Sequence, residues 1–313
     1  MNYKHIFGPV LSRRLKRSLG IDLVPHKVCN LNCIYCECGD TTILTNERKE
    51  WVNIDEIIEE LTSFLSNKPE LDFITITGSG EPMLNTGVNK LIKYIKENFS
   101  SYSTALLTNG TLFTLSEVRD TASLFDYVLP SLDAVSKDAF KKLNRPFEKL
   151  DNEKIIEGLY VFSKSYKGTL WLEVFIAPGI NDTKEELELL KQAILKISPQ
   201  RIQLNSLDRP GACSCIKKAP LETLIKIANF LKPLPVEILS RKYISQFTTN
   251  NKISGNITTT IMSILSRRPS TIEDLSFSLE KNINDISSIM DILVKSKKVS
   301  IEKIGNKIFY KKC

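Results

Sequence analysis

Cys29, Cys33 and Cys36 stand in a C-x3-C-x2-C spacing, with Tyr35 just before the third and Cys38 two residues after it. Three thiolates on one short loop can hold three irons of a [4Fe–4S] cube and leave the fourth iron open. Soft thiolates also suit zinc. A structural zinc site takes four protein ligands, however, and His26 is the sole histidine near the loop, at 25–40. The spacing points to a cluster with one free iron. A zinc knuckle and uninvolved thiols are the alternatives.

Other chemically capable residues recur at the ends of apolar, strand-like runs. Residues 78–82, Gly-Ser-Gly-Glu-Pro, follow the run 71–77. Glycine lets backbone come close to a ligand, although any strand-to-helix turn uses it too. Asn109 follows 104–108, and Ser131 and Asp133 end 127–133, where alternation puts both on one face. A helix cap is the competing reading for that pair. Asn181 and Asn205 end 169–176 and 201–205, and each is equally suited to turn chemistry. Cys213 and Cys215 follow the last of these runs, so they are expected near Cys38 at the mouth of the site. They read as free thiols or as an auxiliary metal or thiol site. Neither His5 nor His26 is expected to act as a general base.

The elements that position these groups alternate. Strand-like runs at 21–24, 71–77, 104–108, 127–133, 169–176 and 201–205 are separated by helical spacings at 55–66, 87–98, 115–124, 136–143, 151–165 and 183–197. This alternation predicts a parallel sheet with right-handed crossovers. Its polar motifs fall at the carboxyl ends of strands, where such folds build their sites. The expected fold class is α/β, a partial (β/α)6 TIM-like barrel over 1–243. The basic stretch 7–20 reads either as an anion clamp near the cysteines or as a solvated arm. Pro233 and Pro235 break a helix at 221–231, and 244–255 reads as a linker.

Residues 256–313 read as a separate module. Helical spacing covers 258–268, Ser270 and Glu273 form a capping-box pattern, and Asn282 or Asn284 opens a third helix. Two β-like runs, 298–303 and 307–312, flank Gly305-Asn306, a hairpin-turn pair. Three helices and a hairpin resemble a winged helix-turn-helix, whose recognition helix enters a major groove. The polar face of the third helix offers Asn284, Asp285, Ser287, Ser288 and Asp291, two of them acidic and none basic. That is poor chemistry for facing phosphate. Protein contact or substrate presentation stands level with nucleic-acid binding.

Composition is that of a globular chain. Of 313 residues 42% are hydrophobic and 25% charged, and no run is long and apolar enough for a membrane span. The N-terminus has no signal-like apolar region, so a cytoplasmic location is expected. Seven cysteines in that setting favour metal or redox chemistry over disulfides. Of the net charge of +7, residues 251–313 carry 11 Lys/Arg against 6 Asp/Glu, or +5. An anionic partner at that end is one reading of this bias.

The C-x3-C-x-aromatic-C loop resembles that of the radical S-adenosylmethionine (SAM) superfamily, and residues 78–82 are similar to its GGEP motif, with Ser79 replacing one glycine. The resemblance implies a [4Fe–4S] cluster on Cys29, Cys33 and Cys36, with SAM as second cofactor. It implies SAM contacts from Tyr35, Gly78, Ser79, Gly80, Glu81, Asn109, Ser131, Asp133 and Asn205. It further implies reductive cleavage of SAM to a 5′-deoxyadenosyl radical, hydrogen abstraction from a substrate, an anaerobic setting, and an electron donor of the flavodoxin or ferredoxin type. Phe7-Gly8-Pro9, Ser12-Arg13-Arg14, Ser18-Leu19-Gly20, Gln203-Leu204-Asn205 and Asp208-Arg209-Pro210-Gly211 extend it. Through them, residues 5–215 resemble the branch related to wyosine-type tRNA-modifying synthases. The chain lacks the N-terminal cysteine region that those synthases use for a second cluster. An RNA or tRNA substrate is implied by that branch. A protein, peptide or small-molecule substrate, with the C-terminal module as docking domain, is the alternative. A cluster-bearing, DNA-binding regulator is a third reading of another class.

Overall fold

The computed structural model describes residues 3–12, 14–239 and 257–313. β1 (Ile6–Ser12) and β2 (Lys16–Asp22) form an antiparallel hairpin. Two short strands, β3 (Val28–Cys29) and β4 (Ile43–Leu44), pair beside the cysteine loop. The remaining strands of the main sheet are β5 (Phe73–Thr77), β6 (Ser103–Thr108), β7 (Tyr127–Pro130), β8 (Thr169–Phe175), β9 (Arg201–Asn205) and β10 (Val236–Ile238). That sheet has eight strands in the order β1-β2-β5-β6-β7-β8-β9-β10, parallel from β2 onward.

Helices α1 (Ile54–Leu65), α2 (Val88–Asn98), α3 (Ser116–Ala122), α4 (Lys137–Asn144), α5 (Asn152–Ser165), α6 (Lys184–Ile197) and α7 (Leu221–Phe230) alternate with the strands. The result is an α/β fold with a mostly parallel, partial-barrel sheet. α1 shows why such segments fold as they do. Asn53 accepts from Asp55 N and caps the first turn, worth about 1 kcal/mol. Ile54, Ile57, Leu61 and Leu65 then form one buried stripe, each contributing about 1.5–3 kcal/mol by burial.

Three expectations need correction. The stretch 7–20 is not a solvated arm but most of the β1–β2 hairpin, so the first parallel strand begins at Lys16 rather than at 21. A further parallel strand, β10, follows Pro235, because the proline precedes the strand and removes no ladder hydrogen bond from it. The expected linker at 244–255 lies outside the described residues.

Along the strands, alternate residues face opposite ways. Leu19, Ile21, Ile74, Ile76 and Leu106 join the core shared with the helices. Ser18, Gly20, Thr75, Thr77 and Leu107 line a cavity on the other face. The Ser18 and Thr75 hydroxyls meet there at 2.6 Å. A polar inner face of this kind leaves a chamber where a closed barrel would be packed solid.

Residues 257–313 form helices α8 (Ile257–Leu265), α9 (Ile272–Leu279) and α10 (Ile283–Lys295) and the hairpin β11 (Val299–Ile304) and β12 (Lys307–Lys312). They have their own core, including Ile261, Leu275, Ile286, Met290 and Leu293. The capping box sits one residue later than expected, on Thr271 and Asp274, because Asp274 is the residue whose carboxylate reaches back to the Thr271 N–H. α8 and α9 pack against β1, and Val10 of that strand joins their core. Arg17 bonds Glu280 at 2.9 Å, and Arg209 lies 3.3 Å from Asp274, both ends of that pair being buried.

Candidate functional site

The cysteine loop leaves β3 and is held from both sides. Lys27 N donates to Ser79 O and Glu81 N to Val28 O, both at 3.1 Å. These bonds join the loop to residues 78–82. Gly80 is required at this seam, since a Cβ there would stand 1.9 Å from Val28 O. The close approach that glycine permits here is therefore to the loop's own backbone. On the other side, Asn32 N and Ile34 N donate to carbonyls at the end of α4.

Each of the three motif thiols receives an N–H donor. Cys29 Sγ accepts from Leu31 N at 3.4 Å and from Asn109 Nδ2 at 3.6 Å. Cys33 Sγ accepts from Asn144 Nδ2 at 3.4 Å, and Cys36 Sγ from Lys27 Nζ at 3.1 Å. Donors placed on sulfur stabilise the anionic form that ligates metal. Burial first, and then the Glu81 carboxylate, pushes the Cys29 thiol up to about 12, and burial raises Cys33 as well. Cys36 is drawn down, first by a hydrogen bond from Cys38 and then by the Lys27 ammonium. Burial works against the Lys27 charge, yet the neighbouring Cys36 outweighs it and Lys27 is raised.

The donor set fits an iron–sulfur group: three sulfurs, an amide or ammonium on each, and no competing carboxylate ligand. Among the described residues no three His, Cys, Asp or Glu side chains are arranged around a single ion. A cube takes each cysteine on a different iron, so its ligands need not converge on one point.

The residues expected to contact SAM are split between two cavities. Tyr35, Asn109, Ser131 and Asp133 line a cleft of about 20 Å³ with Leu31, Thr111 and Asn144. Gly78 and Ser79 border the strand-face chamber, about 390 Å³, which also reaches Cys38. Gly78 and Ser79 thus border a different cavity from the strand-end residues. Tyr35 stacks on Phe175 at 3.9 Å and hydrogen-bonds Asp133, which also accepts from Asn144 Nδ2 at 3.0 Å and Phe175 N at 2.9 Å. Burial raises Asp133 to about 6 against these donors. Asn205 donates to Glu173 at 3.1 Å, and Glu173 is ion-paired with Arg14.

Glu81 is fully engaged with protein. Its carboxylate accepts from Met83 N at 3.0 Å, Thr108 Oγ1 at 2.7 Å and Asn109 N at 2.7 Å. It positions Asn109, whose amide reaches Cys29. Burial raises it to about 7. Asn181 likewise ties down a turn, accepting from Ala177 N and donating to Asp133 O and Phe175 O.

Sequence reasoning missed several partners. Lys27, Asn30 and Asn144 sit at the cysteines or at Asn109, and nothing in their spacing marks them. Asp22 interrupts the apolar run at 21–24. It accepts from Ser79 N at 3.3 Å and Ser79 Oγ at 2.8 Å, and so fixes the 78–82 turn. A buried acid inside a strand was the available signal. The reading of Cys213 and Cys215 as free thiols needs correction. Cys213 and Cys215 form a disulfide with each other, whereas Cys38 lies against Cys36. Among the described residues no helix is long and apolar enough to cross a membrane.

Comparison with known proteins gives a consistent result. The family described as "Radical SAM superfamily" matches residues 23–193. A UPF0026 protein of Helicobacter pylori is 35% identical over 311 residues, covering 99% of this chain and 98% of its own length. A protein of Brachyspira hyodysenteriae named "GTPase Obg" is 35% identical over 98% of this chain, which spans 45% of that protein. Among solved structures, a radical SAM methyltransferase from Sphaerobacter thermophilus superposes with a TM-score of 0.55 at 16% identity, over 71% of this chain and 66% of its own. That last likeness is one of fold.

Proposed function

Because the chain belongs to the radical SAM superfamily and is an enzyme, we propose that it cleaves SAM reductively, with a [4Fe–4S] cluster held by Cys29, Cys33 and Cys36. The observation that carries this is the N–H donor on each of those sulfurs. When bound, the cluster supplies the electron that converts SAM to methionine and a 5′-deoxyadenosyl radical, which takes a hydrogen atom from substrate.

The chain's own residues do the positioning. Asn109 and Asn144 orient Cys29 and Cys33 from β6 and α4, and Lys27 holds Cys36. Asp22 and Val28 fix the 78–82 turn, where Gly78 and Ser79 present backbone toward SAM. Tyr35, Asn109, Ser131, Asp133 and Asn205 approach SAM from the strand ends. The part of the strand-face chamber beyond Gly78 and Ser79 is left for substrate. The C-terminal helices and hairpin are read as a winged helix, the location as cytoplasmic, and the electron donor as a flavodoxin or ferredoxin.

The likeness to the wyosine-type branch supports RNA as substrate, as does the basic C-terminal charge. Mass analysis of tRNA from cells with and without the protein tests that version.

The test of the activity is direct. Anaerobically reconstituted protein carrying roughly four irons per chain is reduced with dithionite in the presence of SAM. 5′-Deoxyadenosine and methionine are expected in equal amounts. A fully loaded protein that forms neither overturns the proposal.

A further inference from the structure

The chamber on the inner face of the sheet has walls from both ends of the chain. β1, β2, β5 and β6 supply Val10, Ser18, Thr75, Thr77 and Leu107. The opposite wall is α8, α9 and the turn between them, with Ile264, Arg267, Arg268, Asp274 and Phe277. Cys38 and the Gly78–Ser79 turn border the same space. The far wall is fastened by the Arg209–Asp274 and Arg17–Glu280 pairs and by Arg267, whose guanidinium lies 4.1 Å from the Phe7 ring centre.

Size and charge define what fits. About 390 Å³ lies in the range of small-molecule sites. Four arginines line the chamber, Arg14, Arg209, Arg267 and Arg268, against two carboxylates, Glu273 and Asp274. Two of the arginines approach from opposite walls with donors unused. Arg14 is ion-paired with Glu173, and its Nε has no hydrogen-bond acceptor. Arg267 donates Nη1 to Ser263 O and Oγ, and its Nε, which has no hydrogen-bond acceptor, stands 3.8 Å from the Asp22 carboxylate. A buried guanidinium with unmet donors destabilises its surroundings unless a ligand supplies the acceptor. Apolar side chains, Phe7, Leu15, Ile264 and Phe277, make up much of the remaining wall.

We propose that residues 257–313 form a wall of the substrate chamber, and that Arg14 and Arg267 receive the phosphate or carboxylate group of a small organic anion with an apolar body. This deepens the SAM-cleavage reading and rests on it for the chemistry. It replaces macromolecular docking as the role of the C-terminal unit. Arg267 also links the bound anion to the SAM turn, since Asp22 bonds Ser79 directly.

The test uses reconstituted full-length protein, with SAM and dithionite, and two fractions of a cell extract: the small-molecule ultrafiltrate and the tRNA. The ultrafiltrate is expected to raise 5′-deoxyadenosine formation at least tenfold, and its prior passage over an anion exchanger to abolish the rise. Treating the ultrafiltrate with phosphatase separates the two sources: loss of stimulation marks a phosphate ester, and persistence marks a carboxylate. In Arg14→Gln/Arg267→Gln the ratio of stimulated to unstimulated cleavage should fall toward one, while Arg267→Lys keeps part of it. Stimulation by tRNA alone, or by the anion-depleted ultrafiltrate, overturns the proposal. If no 5′-deoxyadenosine forms under any condition, the SAM-cleavage reading has failed. Equilibrium dialysis of the same protein with inorganic phosphate and with citrate then decides the anion site separately. Binding weakened tenfold or more in the double variant supports it, and binding absent or unchanged in that variant overturns it.

Discussion

The cysteine loop and the C-terminal unit border the same chamber, the loop through Cys38 and the unit through Arg267 and Arg268. They are built on opposite principles. The loop's chemistry is local: three thiols within eight residues, each met by at least one N–H donor, from nearby backbone, from Lys27 or from a strand or helix end. The C-terminal unit holds no comparable chemistry within itself. The outer face of α10 is acidic and hydroxyl-bearing, and its lysines lie around the hairpin. Its importance comes from where it docks, because α8 and α9 against β1 bring arginines to a space that the sheet alone would leave open. A catalytic group is specified by residue spacing, whereas a binding wall is specified by an interface.

The sharpest way to break this contrast is to remove a thiol. Cys29→Ala, Cys33→Ala or Cys36→Ala should lower iron below the roughly four per chain of a cube and take 5′-deoxyadenosine to background, by iron and sulfide assay and chromatography. Retained iron with any one of them gone would mean that another residue ligates. On the other side of the comparison, Arg209→Ala removes the buried guanidinium that pairs with both Asp274 and Glu37 at the interface, which should cost about 3–5 kcal/mol. Urea unfolding followed by tryptophan fluorescence and by protease sensitivity of 257–313 measures it. A change below about 1 kcal/mol, the scale of an exposed pair, would show that the unit is only loosely attached.

Smaller effects sharpen the picture at the loop. Asn109→Ala and Asn144→Ala remove a donor from Cys29 and Cys33 without touching a ligand, and should lower cluster affinity or activity about 10–100-fold. A shift of the cluster's reduction potential accompanies that loss, and an unmoved potential would reduce both asparagines to packing. Glu81 gives a pH signature in the metal-free protein. Burial raises it from 4.5 to about 7 in the fold, so the folded state keeps a proton that the unfolded chain releases. Its contribution is fully present below pH 4.5 and is lost as pH rises through about 7, at no more than about 1.4 kcal/mol per pH unit. Glu81→Gln should flatten that slope in urea titrations, and an identical slope would assign it elsewhere. The smallest effect is expected at Cys213 and Cys215. Changing both to Ala should leave the iron count unaltered, and a fall of several irons would restore a second thiol site.

Much of the core was legible because period-2 and period-3.6 patterns report burial directly. The parallel strands from β5 to β9 and helices α1 to α7 lie within a few residues of where apolar spacing puts them. The hairpin at 6–22 was not, because Gly8, Pro9 and a run of basic residues read as an arm. Its strand character depends on pairing with β5 on one side and packing under α8 and α9 on the other. At the site, cysteine spacing and the glycines of 78–82 were visible as motifs. The partners that make them work were not. Asp22, Lys27, Asn144 and Arg267 are single residues with no periodic signature, and each meets its target across a gap in sequence that only folding closes.

The amino-acid sequence by itself determined the thiol set, the strand-and-helix alternation and the helices and hairpin of the last 58 or so residues, because each is written in residues close together along the chain. The tertiary structure decided which donors sit on the sulfurs, that Glu81 is buried among protein donors, that Cys213 pairs with Cys215, and that the C-terminal helices wall a chamber of about 390 Å³. Those outcomes turn on contacts between residues tens to hundreds of positions apart. Such contacts are fixed by how the sheet faces and helix stripes pack, not by any local pattern.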